Sequence, residues 1–360
     1  MLDRTDTSAQ GVALDDGEAE LCDADLVEQF QRLSPDGQRR IGWALRREQH
    51  TRIQERARRR AMTPNQRRRE DARRLVDGAV GADESHFIHS VLALCAMPYR
   101  RPPEQQGDYV REFGRSSLVL QSGYLRDPHS GRMVKQGLPY GPKPRLLMVH
   151  LCSMALRNRS AEIEIEDSMS AFIRALGFEV TGGTRGTISA FKEQLHRLAA
   201  TRMQIGLFRG DASTTINTQP FERIDLWTPQ DPGQKMLWPT TVRLDERFYS
   251  SLKAHALPVD LRVLRAFSQS ARQMDIVMWL GYRLPSLQAP LMIGWDKLQE
   301  QYGVDVERAR RFRQAFHDDW TKVLDVFGRL PARLDEKGLL LYPADPHQLL
   351  LPRKRPKSRP

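Results

Sequence analysis

The chain has 360 residues, a net charge of +11 and a sequence pI near 9.8, with 40% hydrophobic and 28% charged residues. That length suggests two or three domains, and the basic excess points to a polyanion, nucleic acid before an anionic membrane. Three well-separated cysteines, Cys22, Cys95 and Cys152, exclude a disulfide framework and a cysteine-rich zinc site, and no apolar run reaches the ~18 residues of a membrane span.

The start, Met1-Leu2-Asp3-Arg4, is polar and acidic, which does not suit a signal peptide, so a reducing cytoplasm is expected. Residues 1–31 hold nine acidic residues and one basic residue, Arg4. The balance then reverses: from Arg39 to Arg74 there are fourteen arginines and four acids. Few apolar residues interrupt this segment. Residues 1–75 therefore read as an acidic, then arginine-rich arm, flexible and partly disordered, whose arginines either contact phosphate or are neutralised by the acidic neighbour.

Residues 76–136 form a connecting region. One buried helix is expected over 83–98, ended by Pro98. His86 and His89 lie at helical spacing, but no third ligand accompanies them, so they read as surface or capping histidines and no metal site is expected. Leu118-Val119-Leu120 suits a short strand, and Asp127-Pro128-His129-Ser130-Gly131 marks a loop.

The run Gly137-Leu138-Pro139-Tyr140-Gly141-Pro142-Lys143-Pro144-Arg145 precedes a helix with Leu147, Leu151, Met154 and Ala155 on one stripe. Pro142 and Pro144 fit a first helical turn, where a missing N–H costs little. Ile163 and Ile165 alternate with Glu162, Glu164 and Glu166, as in a short strand with a solvent face. Asp167 or Ser168 would cap the next helix, and Gly177 would stop it. After the turn Thr181-Gly182-Gly183-Thr184-Arg185-Gly186, a helix with Ile188, Phe191, Leu195 and Leu198 on one stripe follows. Met203–Phe208 and Phe221–Trp227 read as strands, with the polar stretch 209–219 as the wing loop between them.

A similar order recurs downstream. Thr241–Leu244 suits a strand, 245–254 and 260–267 helices, and Ser270–Arg283 a strong amphipathic helix. Leu291–Trp295 is a short strand, and Asp296 with Gln299 would cap a helix ended by Gly303. Asp305 would cap the next helix, whose apolar face is Ala309, Phe312, Phe316, Trp320 and Val323. A hairpin over 332–342 and a basic tail, 346–360, close the chain.

The expected fold is mainly α with small β-hairpins: two tandem winged helix-turn-helix domains, 137–230 and 240–345, behind the basic N-terminal region. In such a unit the third helix enters the major groove with its N-terminal residues at base edges. The candidate DNA-binding residues are Arg185, Thr187, Ser189, Lys192 and Arg197 in the first domain, and Arg308, Arg310, Arg311 and Gln314 in the second. All lie off or beside the apolar stripes.

No catalytic pattern competes with this reading. The G-x-x-x-x-G-K-[ST] spacing of a phosphate loop is absent, Gly182–Gly186 lacks the acidic ribose partner of a dinucleotide site, and the scattered histidines do not support a nicking tyrosine. The expectation is a binder without enzymatic activity or cofactor.

These motifs resemble those of plasmid replication initiators of the RepA type. The resemblance is carried by Gly137–Leu147, Ser168–Gly177, Thr181–Ile188, Pro258–Arg262, Trp279–Leu284 and Arg310–Arg313, and spans roughly residues 115–345. It implies a bacterial, plasmid-associated protein that binds repeated double-stranded DNA sites at an origin. It further implies opening of adjacent DNA, recruitment of the host initiator and replicative helicase, and exchange between a homodimer and a monomer in copy-number control. The alternative is a dimeric winged-helix transcriptional regulator, or an autorepressor only. A weaker alternative is a basic structural or RNA-binding protein that works through the arginine arm.

Overall fold

The computed structural model describes residues 21–76, 85–127, 130–176, 178–181, 186–225, 241–304, 306, 308–327 and 330–344. The chain divides into two compact units, residues 1–67 and 68–360. Among the described residues, no helix is long and apolar enough to cross a membrane.

The first unit is helical. α1 (Ala24–Gln31) and α2 (Pro35–Ala61) form a helical hairpin, and α3 (Pro64–Val76) follows in the chain. Ser34 caps α2 by accepting from Gly37 N, with Pro35 at the first helical position. A small core of Leu21, Leu26, Phe30 and Leu45 joins α1 to α2. Gln49 Oε1 accepts from Cys22 N at 2.6 Å. Arg52 pairs with Asp25 and Glu48, each at 2.6 Å, and Arg56 with Asp23 at 2.8 Å. The arginine-rich stretch, expected as a basic arm, is helical over Pro35–Ala61 and Pro64–Val76. The acidic stretch before it neutralises part of its charge.

The second unit begins with β1 (Ser85–His89) and α4 (Ser90–Leu94), then β2 (Asp108–Phe113), β3 (Ser116–Gln121), β4 (Tyr124–Arg126) and β5 (Met133–Lys135). Next come α5 (Pro142–Asn158), β6 (Glu162–Glu164), α6 (Glu166–Ala175), α7 (Thr187–Ala200), β7 (Arg202–Arg209), β8 (Ala212–Thr218), β9 (Phe221–Ile224) and β10 (Thr241–Leu244). α8 (Glu246–His255), β11 (Ala256–Asp260), α9 (Leu261–Phe267) and α10 (Ala271–Arg283) follow. The last elements are β12 (Leu291–Gly294), α11 (Trp295–Tyr302), α12 (Ala309–Phe327), β13 (Ala332–Asp335) and β14 (Gly338–Leu341). One apolar core runs through all of it, from Ile88 through Leu147, Phe191 and Trp279 to Phe316 and Leu341. Each such fully buried large side chain contributes about 1.5–3 kcal/mol over its exposed state.

One order of elements occurs twice. α5, β6, α6, α7, β9 and β10 run helix, strand, helix, helix, strand, strand, and so do α10, β12, α11, α12, β13 and β14. The sheets match as well: β6-β10-β9 and β12-β14-β13, each with its third strand in the middle and all pairs antiparallel. We call these the first and second modules. In the first, the third strand is β10, expected from sequence to open the downstream copy. Val242 instead pairs with both Ile163 and Ile224, which brings β10 back to the upstream sheet.

The first module carries an insertion. β7 and β8 form a hairpin that joins β2 and β3 in a four-stranded sheet, order β2-β3-β7-β8. The stretch 209–219, expected to be the wing loop, is mostly strand β8 at the edge of this other sheet, with side chains exposed or half-buried. Its threonines and Ile216 suit an extended conformation, and their polarity reflects a solvent-facing edge strand, not a loop. The tip at Gly210 has φ +59°, a left-handed conformation that favours glycine.

The helix expected over 83–98 is instead β1 followed by α4. β1 pairs with β11 through Ser85↔Asp260 to His89↔Ala256, so its backbone bonds go to a strand far along the chain. His89 is a cap: its Nδ1 accepts from Val91 N, and its Nε2 lies 2.9 Å from Ser251 Oγ. Asp260 caps α9 at the equivalent end of β11. Two other expected caps differ. α6 starts at Glu166 and α11 at Trp295, and neither has a side-chain cap. Ser270, expected inside the helix, is instead the cap of α10, accepting from Gln273 N.

Candidate nucleic-acid interface

The second module presents the clearest basic face. α12 buries Phe312, Phe316, Trp320 and Val323 on one stripe, against Trp295 and Tyr302 of α11. Arg308, Arg310, Arg311 and Gln314 are all exposed at the N-terminal end of the same helix. The 3.6-residue period forces this division, because positions 312, 316, 320 and 323 share one side. Arg313 stacks over the Trp295 ring at 5.6 Å, and Gln314 donates to Asp318 at 3.1 Å. Positions 305 and 307, including the expected cap Asp305, lie outside the described residues.

α7, the corresponding helix of the first module, is packed more heavily. Phe191, Leu195 and Leu198 are buried as the periodicity requires. Thr187 and Ser189, in its first turn, are half-buried. Thr181 Oγ1 accepts from Thr187 N at 3.0 Å and ties the helix start to the residues before it. Arg185 and the rest of the glycine-rich turn over 182–185 lie outside the described residues. Lys192 and Arg197, expected to face outward, are buried. Burial pushes the Lys192 ammonium down to about 8.

Arg197 is covered by the run Gly137–Arg145, which lies along the C-terminal half of α7. Arg197 Nη1 donates to Leu138 O at 3.1 Å, and its guanidinium sits 5.2 Å from the Tyr140 ring centre. Gln194 Oε1 accepts from Tyr140 N at 3.0 Å. A side chain at Gly137 would collide with the Arg197 guanidinium. Gly141, with φ +75°, turns the chain into α5, and Pro142 and Pro144 occupy its first turn. Lys143 is partly buried and lies 6.0 Å from the Phe191 ring centre.

Arg145 completes this clasp. It is fully buried and directs its donors to Asp275 of α10 and to the carbonyls of Met97, Pro98 and Gly141. The run therefore connects α7 of the first module to the leading helix of the second. Its residue types serve packing and hydrogen bonding. Sequence reasoning left this role open because neither the Arg145 partner, 130 residues away, nor the Arg197 carbonyl acceptor is visible in local spacing.

Among the described residues, no group of three or more His, Cys, Asp or Glu side chains could hold a metal ion. His86 and His150 both lie against the Phe172 ring, with His150 stacked at 4.4 Å. Burial, then the nearby His86 and Arg157, pushes the His150 imidazole down to about 3.

Comparisons with known proteins bear on this arrangement. No match was found among curated proteins. Two crystal structures are similar at low identity. RctB domains 2-3 (RctB-155-483) has 11% identity, covers 73% of this chain and 99% of its own, and gives a TM-score of 0.45. SeMet derivatives of domain 2 and domain 3 of RctB have 10% identity, cover 65% of this chain and 85% of their own, and give 0.43. The family model described as Plasmid encoded RepA protein matches residues 138–297, from the clasp through the first turn of α11. Through that segment the chain is similar to the family of plasmid encoded RepA proteins.

Proposed function

We propose that this chain is a RepA-type replication initiator that binds repeated double-stranded DNA at its plasmid origin, with each module acting as a winged helix-turn-helix. The observation that carries the reading is the repeated topology. In both modules a second and third helix follow a short strand, and a two-stranded hairpin closes the unit on that strand. That is the element order of a winged helix, in which the third helix enters the major groove.

α12 suits the groove-reading role through Arg308, Arg310, Arg311 and Gln314, exposed at its N-terminal end. Arginine makes bidentate contacts to guanine and glutamine to adenine. In the first module, Thr187 and Ser189 at the start of α7, with Arg185 before it, are the candidate contacts. Lys192 and Arg197 are buried, and Arg197 donates to the Leu138 carbonyl, so neither is proposed as a groove contact. The hairpins β9–β10 and β13–β14 would lie over the phosphate backbone as wings.

Two groove contacts on one chain fit successive major-groove segments about one helical turn apart. Bound in this way at several repeats, the protein would open adjacent DNA and recruit the host initiator and helicase by binding alone, without a cofactor. The test is replication of a linked origin. A replicon carrying the flanking repeats should replicate only when the chain is supplied. Repression of its own promoter without any support of the replicon would favour a regulator.

A further inference from the structure

The hairpin β4–β5 lies outside both modules and has no role in the reading above. It is a two-stranded antiparallel sheet with no further strand on either edge among the described residues. Its register pairs Tyr124 with Lys135 and Arg126 with Met133. Opposed residues share a face, so Tyr124, Arg126, Met133 and Lys135 form one side, and all four are exposed. Leu125 and Val134 occupy the other. Arg132, in the turn, is exposed as well. The only acid within 124–135 is Asp127, whose carboxylate accepts from Ser130 Oγ inside the turn.

The hairpin is held firmly against the first module. Gln136 N donates to Gly123 O at 2.8 Å and closes its neck. Gly123 passes so close to the carbonyl of Ala200, the last residue of α7, that a Cβ there would collide with it. β4 itself packs on α7. Immediately after the neck, Gly137 meets Arg197. The hairpin is therefore anchored on α7.

From this we infer that β4–β5 is an additional DNA-contacting ribbon, which lays Arg126, Arg132 and Lys135 on the phosphates of the duplex that α7 engages. Tyr124 and Met133 contribute apolar contact to the sugars between them. The occupant is a polyanion, because the exposed face combines cations with an aromatic ring and no unpaired acid. Duplex DNA is favoured because the ribbon is fixed to the helix proposed to read it. A two-stranded ribbon has the dimensions of a groove-binding element, and each phosphate it neutralises adds roughly 0.9 to the slope of log affinity against log salt. This inference rests on the reading of the chain as a duplex-DNA binder.

The test uses the full chain and duplex fragments from the DNA flanking its coding region, titrated between about 50 and 200 mM salt. The variant Arg126→Gln/Arg132→Gln/Lys135→Gln should lose at least about tenfold in affinity, and its salt slope should fall by about 2–3. The single variant Lys135→Gln should lower the slope by about 1 and guards against misfolding of the triple variant. The footprint of both should keep its position. An unchanged slope and affinity in both variants, with the unaltered chain binding normally, would overturn the ribbon and leave the proposed function standing. Loss of self-association with unchanged DNA affinity would overturn it too, by marking the face as an interface between copies. If the unaltered chain fails to bind any of these fragments, both the ribbon and the DNA-binding reading fall.

Discussion

Arg145 and Asp275 meet in the centre of the second compact unit, withdrawn from solvent, with Nε donating to Oδ1 at 2.7 Å and Nη2 to Oδ2 at 2.8 Å. The remaining guanidinium donors go to backbone carbonyls, so the buried charge is fully hydrogen-bonded. Arg145 belongs to the helix that opens the first module, and Asp275 to the helix that opens the second. This pair, with the clasp over α7, fixes how the two modules are mounted.

Removing one partner should be costly. Asp275→Ala leaves an uncompensated buried guanidinium, and a loss of about 3–5 kcal/mol is expected in urea denaturation. The double variant Arg145→Met/Asp275→Leu should be markedly less destabilised than Asp275→Ala. A double variant as unstable as the single one would show that the charge pair is not what the site requires.

Gly137 is tightly constrained. Gly137→Val places atoms in the volume of the Arg197 guanidinium, so the Arg197–Leu138 bond must break or α7 must shift. A loss of about 1–3 kcal/mol is expected, within the usual range for overpacking. Thermal denaturation of the variant measures it.

Arg311 and Arg197 should separate function from architecture. Arg311→Ala removes an exposed side chain, so stability should stay within about 0.5 kcal/mol. Specific DNA affinity should fall by about 1–3 kcal/mol, with relaxed preference at one base pair. Arg197→Ala should instead lower stability, because it leaves the Leu138 carbonyl and the Tyr140 face without their cation. Equal effects of the two on DNA affinity at full folding would contradict this division.

Acid should destabilise the fold through buried imidazoles. His89 and His150 are both pushed down to about 3, chiefly by burial. Between about pH 6.5 and pH 3 the unfolded chain binds protons that the folded chain does not. Stability is therefore present above the unfolded value and is lost as pH falls through this window. At pH 5 each histidine accounts for up to about 2 kcal/mol. His150→Phe should lose less stability than the unaltered chain between pH 7 and pH 5, as read from urea midpoints.

The helices of both modules were legible in the sequence because their apolar residues recur at a helical period. Phe312, Phe316, Trp320 and Val323 are the clearest case, and the exposed arginines at the start of α12 followed directly. What local patterns hid was set by distant pairing. β10 looks like the start of something new until Val242 is seen between Ile163 and Ile224. His86–Leu94 is apolar enough for a helix, but β11 claims its first half as a strand. Arg197 has the spacing of an outward cation, but the backbone of Gly137–Gly141 lies over it. The same run that carries the family resemblance thus covers Arg197, one of the expected DNA contacts.

The central claim is that two groove-reading helices on one chain engage one DNA repeat. Hydroxyl-radical footprinting of the full chain on the flanking DNA tests it most directly. Two protected segments about 10 base pairs apart are expected within each repeat, with Arg310→Ala/Arg311→Ala erasing only one of them. A single protected segment, or two that survive the double substitution unchanged, would contradict the account.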